Sequence, residues 1–159
     1  MPVSIRRGTA SDAETIAEFN AAMALETEGL SLDHPQLVEG VRAVLRDASK
    51  GFYLVGEVQG RAVGQMMITY EWSDWRNGVF WWIQSVYVEP DQRRAGIYTG
   101  LHRWVVEEAQ RLGDVCGIRL YVERENEIAQ EVYRRLGMGK TVYDMFEVDF
   151  VIERQSGPV

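Results

Sequence analysis

The sequence predicts an α/β (α+β) chain, with a mixed central β-sheet of roughly six to seven strands flanked by about four helices. Three observations carry this expectation. Three strand-like runs separated by turn residues succeed one another between residues 52 and 88. Apolar residues at helical spacing precede that block and return after Gly96. Strand-like alternation then recurs on either side of a last helical segment. The order is β-α-α-β-β-β-α-β-α-β, in which consecutive hairpins give antiparallel pairing and the later crossover allows parallel pairing.

Taken in order, Val3 to Arg6 reads as a strand. Ser11-Asp-Ala-Glu14 has capping-box spacing and opens a helix with Ile16, Phe19 and Met23 on one face. A loop carrying Glu26, Glu28 and Asp33 leads to Pro35, a favourable first-turn residue for a second helix with Val38, Val41 and Leu45. Phe52 to Val58 and Ala62 to Tyr70 are strands joined at Gln59-Gly60, and Asn77-Gly78 is a hairpin signal before the long run Val79 to Val88. Pro90 ends that run. Leu101, Trp104, Val105, Ala109 and Leu112 mark a helix. Ile118, Leu120 and Val122 alternate as a strand, and a helix from about Glu127 to Leu136 closes at Gly137. Thr141 to Phe150 reads as a final strand.

The 159 residues fit one domain, taken as 1–150 with a loose tail over 151–159. Apolar residues make up 46% and charged residues 26%, a globular balance. The single cysteine, Cys116, permits no intrachain disulfide. No signal-peptide pattern and no apolar run of membrane-spanning length is present, so a cytoplasmic protein without a membrane partner is expected. The net charge of -7 disfavours nucleic acid and permits a cationic small molecule, although mild acidity also serves solubility alone. His34 and His102 form no metal-ligand cluster, and no metal is expected. Glu123 and Glu125 flank Arg124 as a solvated strand end.

Chemistry concentrates after the long strand, in Val86-Tyr-Val-Glu-Pro-Asp-Gln-Arg93-Arg94-Ala95-Gly96-Ile97. A strand gives way to a basic, glycine-containing loop and then a helix. Unpaired N–H groups and the dipole at a helix start favour an anion, Gly96 admits close backbone approach, and two arginines add charge. A plain turn with two solvated arginines has the same composition.

Arg93-Arg94-Ala95-Gly96-Ile97-Tyr98 resembles the pyrophosphate loop Q/R-x-x-G-x-G/A of the GNAT acetyltransferases. The resemblance implies acetyl-CoA as cosubstrate, with the loop through Thr99 holding the pyrophosphate and the backbone of Val86, Tyr87 and Val88 facing the pantetheine arm and acetyl carbonyl. Tyr98 departs from the family's Gly or Ala. A second string, Asn126-Glu-Ile-Ala129-Gln-Glu-Val-Tyr133-Arg-Arg-Leu136-Gly137-Met138, is similar to the family's N-x-x-A-x-x-x-Y-x-x-x-G-F. Asn126, Ala129 and Tyr133 share one helix face. On residues alone an N-capping Asn and a half-buried Tyr fit as well. The resemblance makes Asn126 and Ala129 coenzyme contacts and Tyr133 the general acid for the leaving thiolate.

On the acceptor side, Tyr70-Glu-Trp-Ser-Asp-Trp-Arg-Asn-Gly78 through Val88 is similar to the diamine and polyamine acetyltransferase branch, which carries a Glu-Asp pair on this strand. Here Gln84 and Ser85 stand there. Gln84 is no base, but it can position a water. Glu71 is a base candidate, alongside Asp74, Glu26, Glu28 and Asp33. Trp72, Trp75, Trp81 and Trp82 form either a packed hairpin, the favoured reading, or an aromatic wall for a cation. The expected activity is acetyl transfer to a primary amine, and the similarity to that branch implies a di- or polyamine-like acceptor. A protein or peptide N-acetyltransferase and a non-catalytic acyl-CoA-binding domain are the alternatives. A homodimer paired through the C-terminal strands is expected by the same resemblance.

Overall fold

The computed structural model describes residues 2–153. Most of the tail expected over 151–159 lies outside those residues. The chain divides into two compact units, one ending at Tyr121 and the other beginning at Val122.

The first unit is built on a five-stranded sheet in the order β1 (Val3–Arg7), β2 (Phe52–Val58), β3 (Arg61–Ser73), β4 (Gly78–Val88) and β5 (Val115–Arg119). The first four strands are antiparallel neighbours, and β5 joins β4 in parallel through a helical crossover. Side chains of a strand alternate between faces, and the two cores follow that alternation. Phe52 and Leu54 face α3 (Ile97–Leu112), sharing a core with Met66, Ile68, Trp81, Ile83, Leu101 and Val105. Tyr53 and Val55 face α1 (Ala13–Glu28) and α2 (His34–Arg46), which bring Ile16, Ala17, Val38 and Val41.

Local chemistry explains the boundaries. The first helix is capped upstream of the expected Ser11. Thr9 and Asp12 form the capping box around a short 3-10 turn, because Asp12 is also fixed by a forked pair to Arg6 of β1. Asp33 caps α2 by accepting from the Gln36 amide at 3.2 Å. The β3–β4 turn places Asn77 at φ 47°, a conformation asparagine tolerates.

Two strand expectations are corrected. β5 begins three residues upstream of Ile118, where Val115, Gly117 and Ile118 pair with Val79, Phe80 and Trp81. Gly117 is required there, since a Cβ would sit 2.4 Å from the Phe80 ring. The second unit contains α4 (Glu127–Arg135) and no strand among the described residues. The segment 141–150 therefore is not the expected final strand, and the sheet has five strands, not six or seven. Its alternating side chains lack a partner backbone here, and Val142, Phe146, Val148 and Phe150 stay exposed.

Candidate functional site

The site begins at a defect in β4. Met67 of β3 faces Gln84, but Gln65 faces Tyr87, so β4 carries one extra residue between them. Ser85 takes φ 50° in this bulge, which is uncommon for a residue with a side chain. A buried polar chain holds it. The Gln65 amide nitrogen donates to Asn20 Oδ1 at 2.7 Å and to the Ser85 carbonyl at 3.2 Å. Asn20 also hydrogen-bonds the Tyr53 phenol, whose pKa burial pushes up to about 12. Gln65 is fully buried and Asn20 nearly so.

Below the bulge β4 has an open edge. β5 accompanies β4 only as far as the Trp82–Arg119 pair. The Glu89 N–H donates to Val63 on β3 at 2.9 Å. Backbone N–H groups alternate edges along a strand, so the Val88 N–H faces the side that β5 has left. Val86, Tyr87 and Val88 are half-buried along this edge.

The turn after β4 then presents a helix start. Arg94 at φ 64° and Gly96 at φ 80° are both left-handed, and Gly96 is the residue just before α3. The first bond across it runs from the Gly100 N–H to the Gly96 carbonyl at 2.9 Å, so the amides of Ile97 and Thr99 lie ahead of the helix's own ladder. Space over Gly96 is open: a Cβ there would meet nothing within 4 Å. The start is set close to the sheet because Ile97 rests on two glycines. A Cβ on Gly64 would lie 2.9 Å, and one on Gly56 3.1 Å, from Ile97 Cγ2. Donors, open space and a helix dipole fit a diphosphate. Tyr98, the departure from the motif, packs its ring against the α3 core near His102. His102 is buried with an unpartnered Nδ1, and burial lowers its pKa.

The two arginines differ. Arg93 is engaged by Glu26 through both carboxylate oxygens, at 2.6 and 2.8 Å, and its Nε donates to the Val88 carbonyl at 2.9 Å. Arg94 is exposed and has no ion-pair partner among the described residues.

Most carboxylates considered as bases are committed. Glu71 pairs with Arg119, which stacks on Phe80 at 3.6 Å. Glu26 is held below the usual carboxylate range by Arg93, Asp33 caps α2, and Asp74 accepts from the Trp75 amide. Gln84 donates its amide nitrogen to the Thr69 hydroxyl, which leaves the amide oxygen for a water. Thr69, Gln65 and Asn20 were not singled out in the sequence. A lone amide in the apolar run Val63 to Ile68 was the readable signal. The tryptophans divide. Trp81 packs edge-on against Phe52, while Trp72 is 65% and Trp75 86% exposed, so the packed-hairpin expectation fails for those two. Among the described residues no His, Cys, Asp and Glu side chains gather to hold a metal, and no helix is long and apolar enough to cross a membrane.

In the second unit, Asn126 caps α4 by accepting from the Ala129 amide at 3.1 Å. Gly137 at φ 89° ends the helix, with the Met138 N–H returning to the Tyr133 carbonyl at 3.0 Å. Tyr133 is half-buried, and burial raises its phenol.

The chain is similar to several solved proteins. It is 44% identical, with a TM-score of 0.87, to a "possible acetyltransferase from Clostridium difficile 630", covering 96% of this chain and 100% of that one. A "predicted acetyltransferase with acetyl-CoA from Clostridium acetobutylicum" shares the fold at 18% identity and TM-score 0.75, covering 94% of this chain and 97% of that one. So does a ribosomal-protein-alanine N-acetyltransferase from Brucella melitensis biovar Abortus 2308, at 18% and 0.75, covering 94% and 99%. No curated protein sequence matches. The model of the acetyltransferase (GNAT) family matches residues 18–138, across the bulged strand, the turn and α4, and the chain belongs to that family.

Proposed function

We propose that this protein moves the acetyl group of acetyl-CoA onto a primary amine in the cytoplasm. The observation that carries the reading is the open edge of β4 running into a helix start whose amides and cleared space suit a diphosphate. The amine nitrogen attacks the thioester carbonyl, the C–S bond breaks, and the thiolate leaves. The Val88 N–H faces the open edge and is our candidate for stabilising the oxyanion. Tyr133, assigned by its motif position, donates a proton to the departing sulfur and recovers one from solvent. Its raised pKa keeps the phenol protonated at neutral pH and makes full transfer more uphill, so donation strengthens only as sulfur charge develops. Gln84, held by Thr69, orients the water that takes the ammonium proton.

The exposed Trp72 and Trp75 suit a cationic acceptor, which favours a small di- or polyamine. Glu71, neutralised by Arg119, is not assigned the base role. We propose a homodimer as the working form, supported by the exposed apolar segment 142–151.

The test is thiol release from acetyl-CoA across a panel of diamines, polyamines, amino acids and peptides, with calorimetry of coenzyme binding. Small amines as substrates support the reading. Turnover of peptides alone transfers it to protein acetylation, and binding without turnover makes the chain a coenzyme sensor. Gly96→Asp sets a carboxylate in the anion space and should weaken coenzyme affinity at least tenfold, roughly the cost of an unfavourable charge in a site of this kind. Undiminished affinity removes the turn from the site.

A further inference from the structure

We propose that the adjacent arginines divide their work: Arg93, clamped by Glu26, is a positioning residue for the end of β4, and Arg94 alone meets the coenzyme phosphates. This rests on the coenzyme reading above. Sequence pattern gives both arginines the same role; the geometry separates them.

Three of the five N–H donors of Arg93 are already used. Its Nε holds the Val88 carbonyl, and its two terminal nitrogens each hold one oxygen of Glu26. A forked pair of this kind is strong for its size because both bonds are charge-assisted and the planar groups match. Recruiting Arg93 to a phosphate would leave Glu26 facing new negative charge, so an exchange of partners gains little.

The clamp sits where it matters for transfer. In a strand, the N–H and C=O of one residue point to the same edge, so the Val88 carbonyl that Arg93 holds lies beside the Val88 N–H. The two groups sit in adjacent peptide planes joined at the Val88 Cα, so holding the carbonyl restrains the backbone angles that aim the amide offered to the acetyl oxygen. Glu26 belongs to the last turn of α1, and α1 also meets β4 through Phe19, whose ring lies 5.2 Å from that of Tyr87. The Arg93 guanidinium lies 5.7 Å from the same Tyr87 ring. The end of α1, Tyr87, Val88 and Arg93 are thus one junction. It joins the strand end that orients the acetyl group to the loop over residues 29–33 that follows α1. Arg94, exposed on a left-handed backbone one residue further on, takes no part in this fork.

The test compares Glu26→Gln, Arg93→Gln and Arg94→Gln in the full chain, with Arg93→Lys as a variant that keeps charge and loses the fork. Amide hydrogen exchange is followed over residues 24–30 and 86–89, coenzyme affinity at two salt concentrations, and kcat and KM separately for amine and acetyl-CoA. Glu26→Gln, Arg93→Gln and Arg93→Lys should all speed exchange in both segments. They should lower kcat by roughly tenfold through misplacement of the Val88 amide, with coenzyme affinity within about twofold, the effect of a residue that does not touch the phosphates. The Glu26→Gln/Arg93→Gln double variant should be no worse than either single one. Arg94→Gln should weaken coenzyme binding by about fivefold, flatten its salt dependence and leave exchange unchanged. Equal loss of coenzyme affinity in Arg93→Gln and Arg94→Gln overturns the division of work, as does unchanged exchange in Glu26→Gln. If the parent chain binds no coenzyme, the functional reading fails and the phosphate role of Arg94 with it. The exchange measurements still decide the clamp.

Discussion

At the scale of the residue, one hydroxyl and one buried ring nitrogen carry separate tests. Tyr133→Phe keeps the ring and deletes the hydroxyl. If that hydroxyl serves sulfur, turnover should fall roughly 10²–10⁴-fold, while coenzyme affinity and thermal midpoint hold. Turnover within twofold, with chemistry rate-limiting, removes the acid role. His102 offers a pH test. Burial lowers its pKa below the ordinary value of 6.5, so the unfolded chain binds a proton more readily than the folded one. Stability from this site is complete above about pH 6.5 and is lost as pH falls through the lowered value. The carboxylates Asp12 and Glu26 are both held below the ordinary carboxylate range by their arginines, which keeps them out of the interval between pH 5.5 and 7. Urea unfolding at pH 7 and pH 5.5 should show a drop that His102→Leu removes; an equal drop in both proteins clears His102. Positions were legible where a motif marks them, as at Gly96, which stands left-handed just before α3. The Glu26–Arg93 fork spans 67 positions and has no local signature, so only the fold reveals it.

At the scale of the element, β4 is the part whose irregularity is most strongly enforced. A strand that leaves its register must be held there, or the ladder closes on the regular alternative. Asn20 accepts from Gln65 and bonds Tyr53, so Asn20→Ala removes one of the two acceptors of the Gln65 amide and the Asn20 bond to the Tyr53 phenol. That should cost about 2–4 kcal/mol, reduced by about 0.6 kcal/mol because alanine is the better helix former. Urea unfolding reads it directly, and a loss under 0.5 kcal/mol would show that the polar chain does not hold the bulge. The elements themselves were largely readable. β2 has the bounds of the strand-like run Phe52 to Val58, and α2 starts beside Pro35 as expected. β5 occupies 115–119 although residues 118–122 are also apolar enough for a strand. Only the fit of Gly117 against Phe80 selects between them.

At the scale of the molecule, the misread segment is 141–150. Alternation there states what a strand would look like, but not what it would pair with. Its exposed Val142, Phe146, Val148 and Phe150 are the basis for expecting association, since an apolar run of this kind is costly to leave in water. Sedimentation at micromolar concentration should give a dimer, and Phe146→Lys with Phe150→Lys should give a monomer. A monomeric parent ends the dimer proposal.

The seat of Ile97 on Gly56 and Gly64 gives the molecule a mechanical datum. Those two absent methyls let a side chain touch bare backbone, so the depth of the first turn of α3 is fixed by van der Waals contact and not by a flexible loop. A methyl at either position would act as a shim. α3 is about 24 Å long, and its middle is locked into the core at Leu101 and Val105. Lifting one end would therefore tilt the rod about that fulcrum and turn its amides away from the direction that β4 defines.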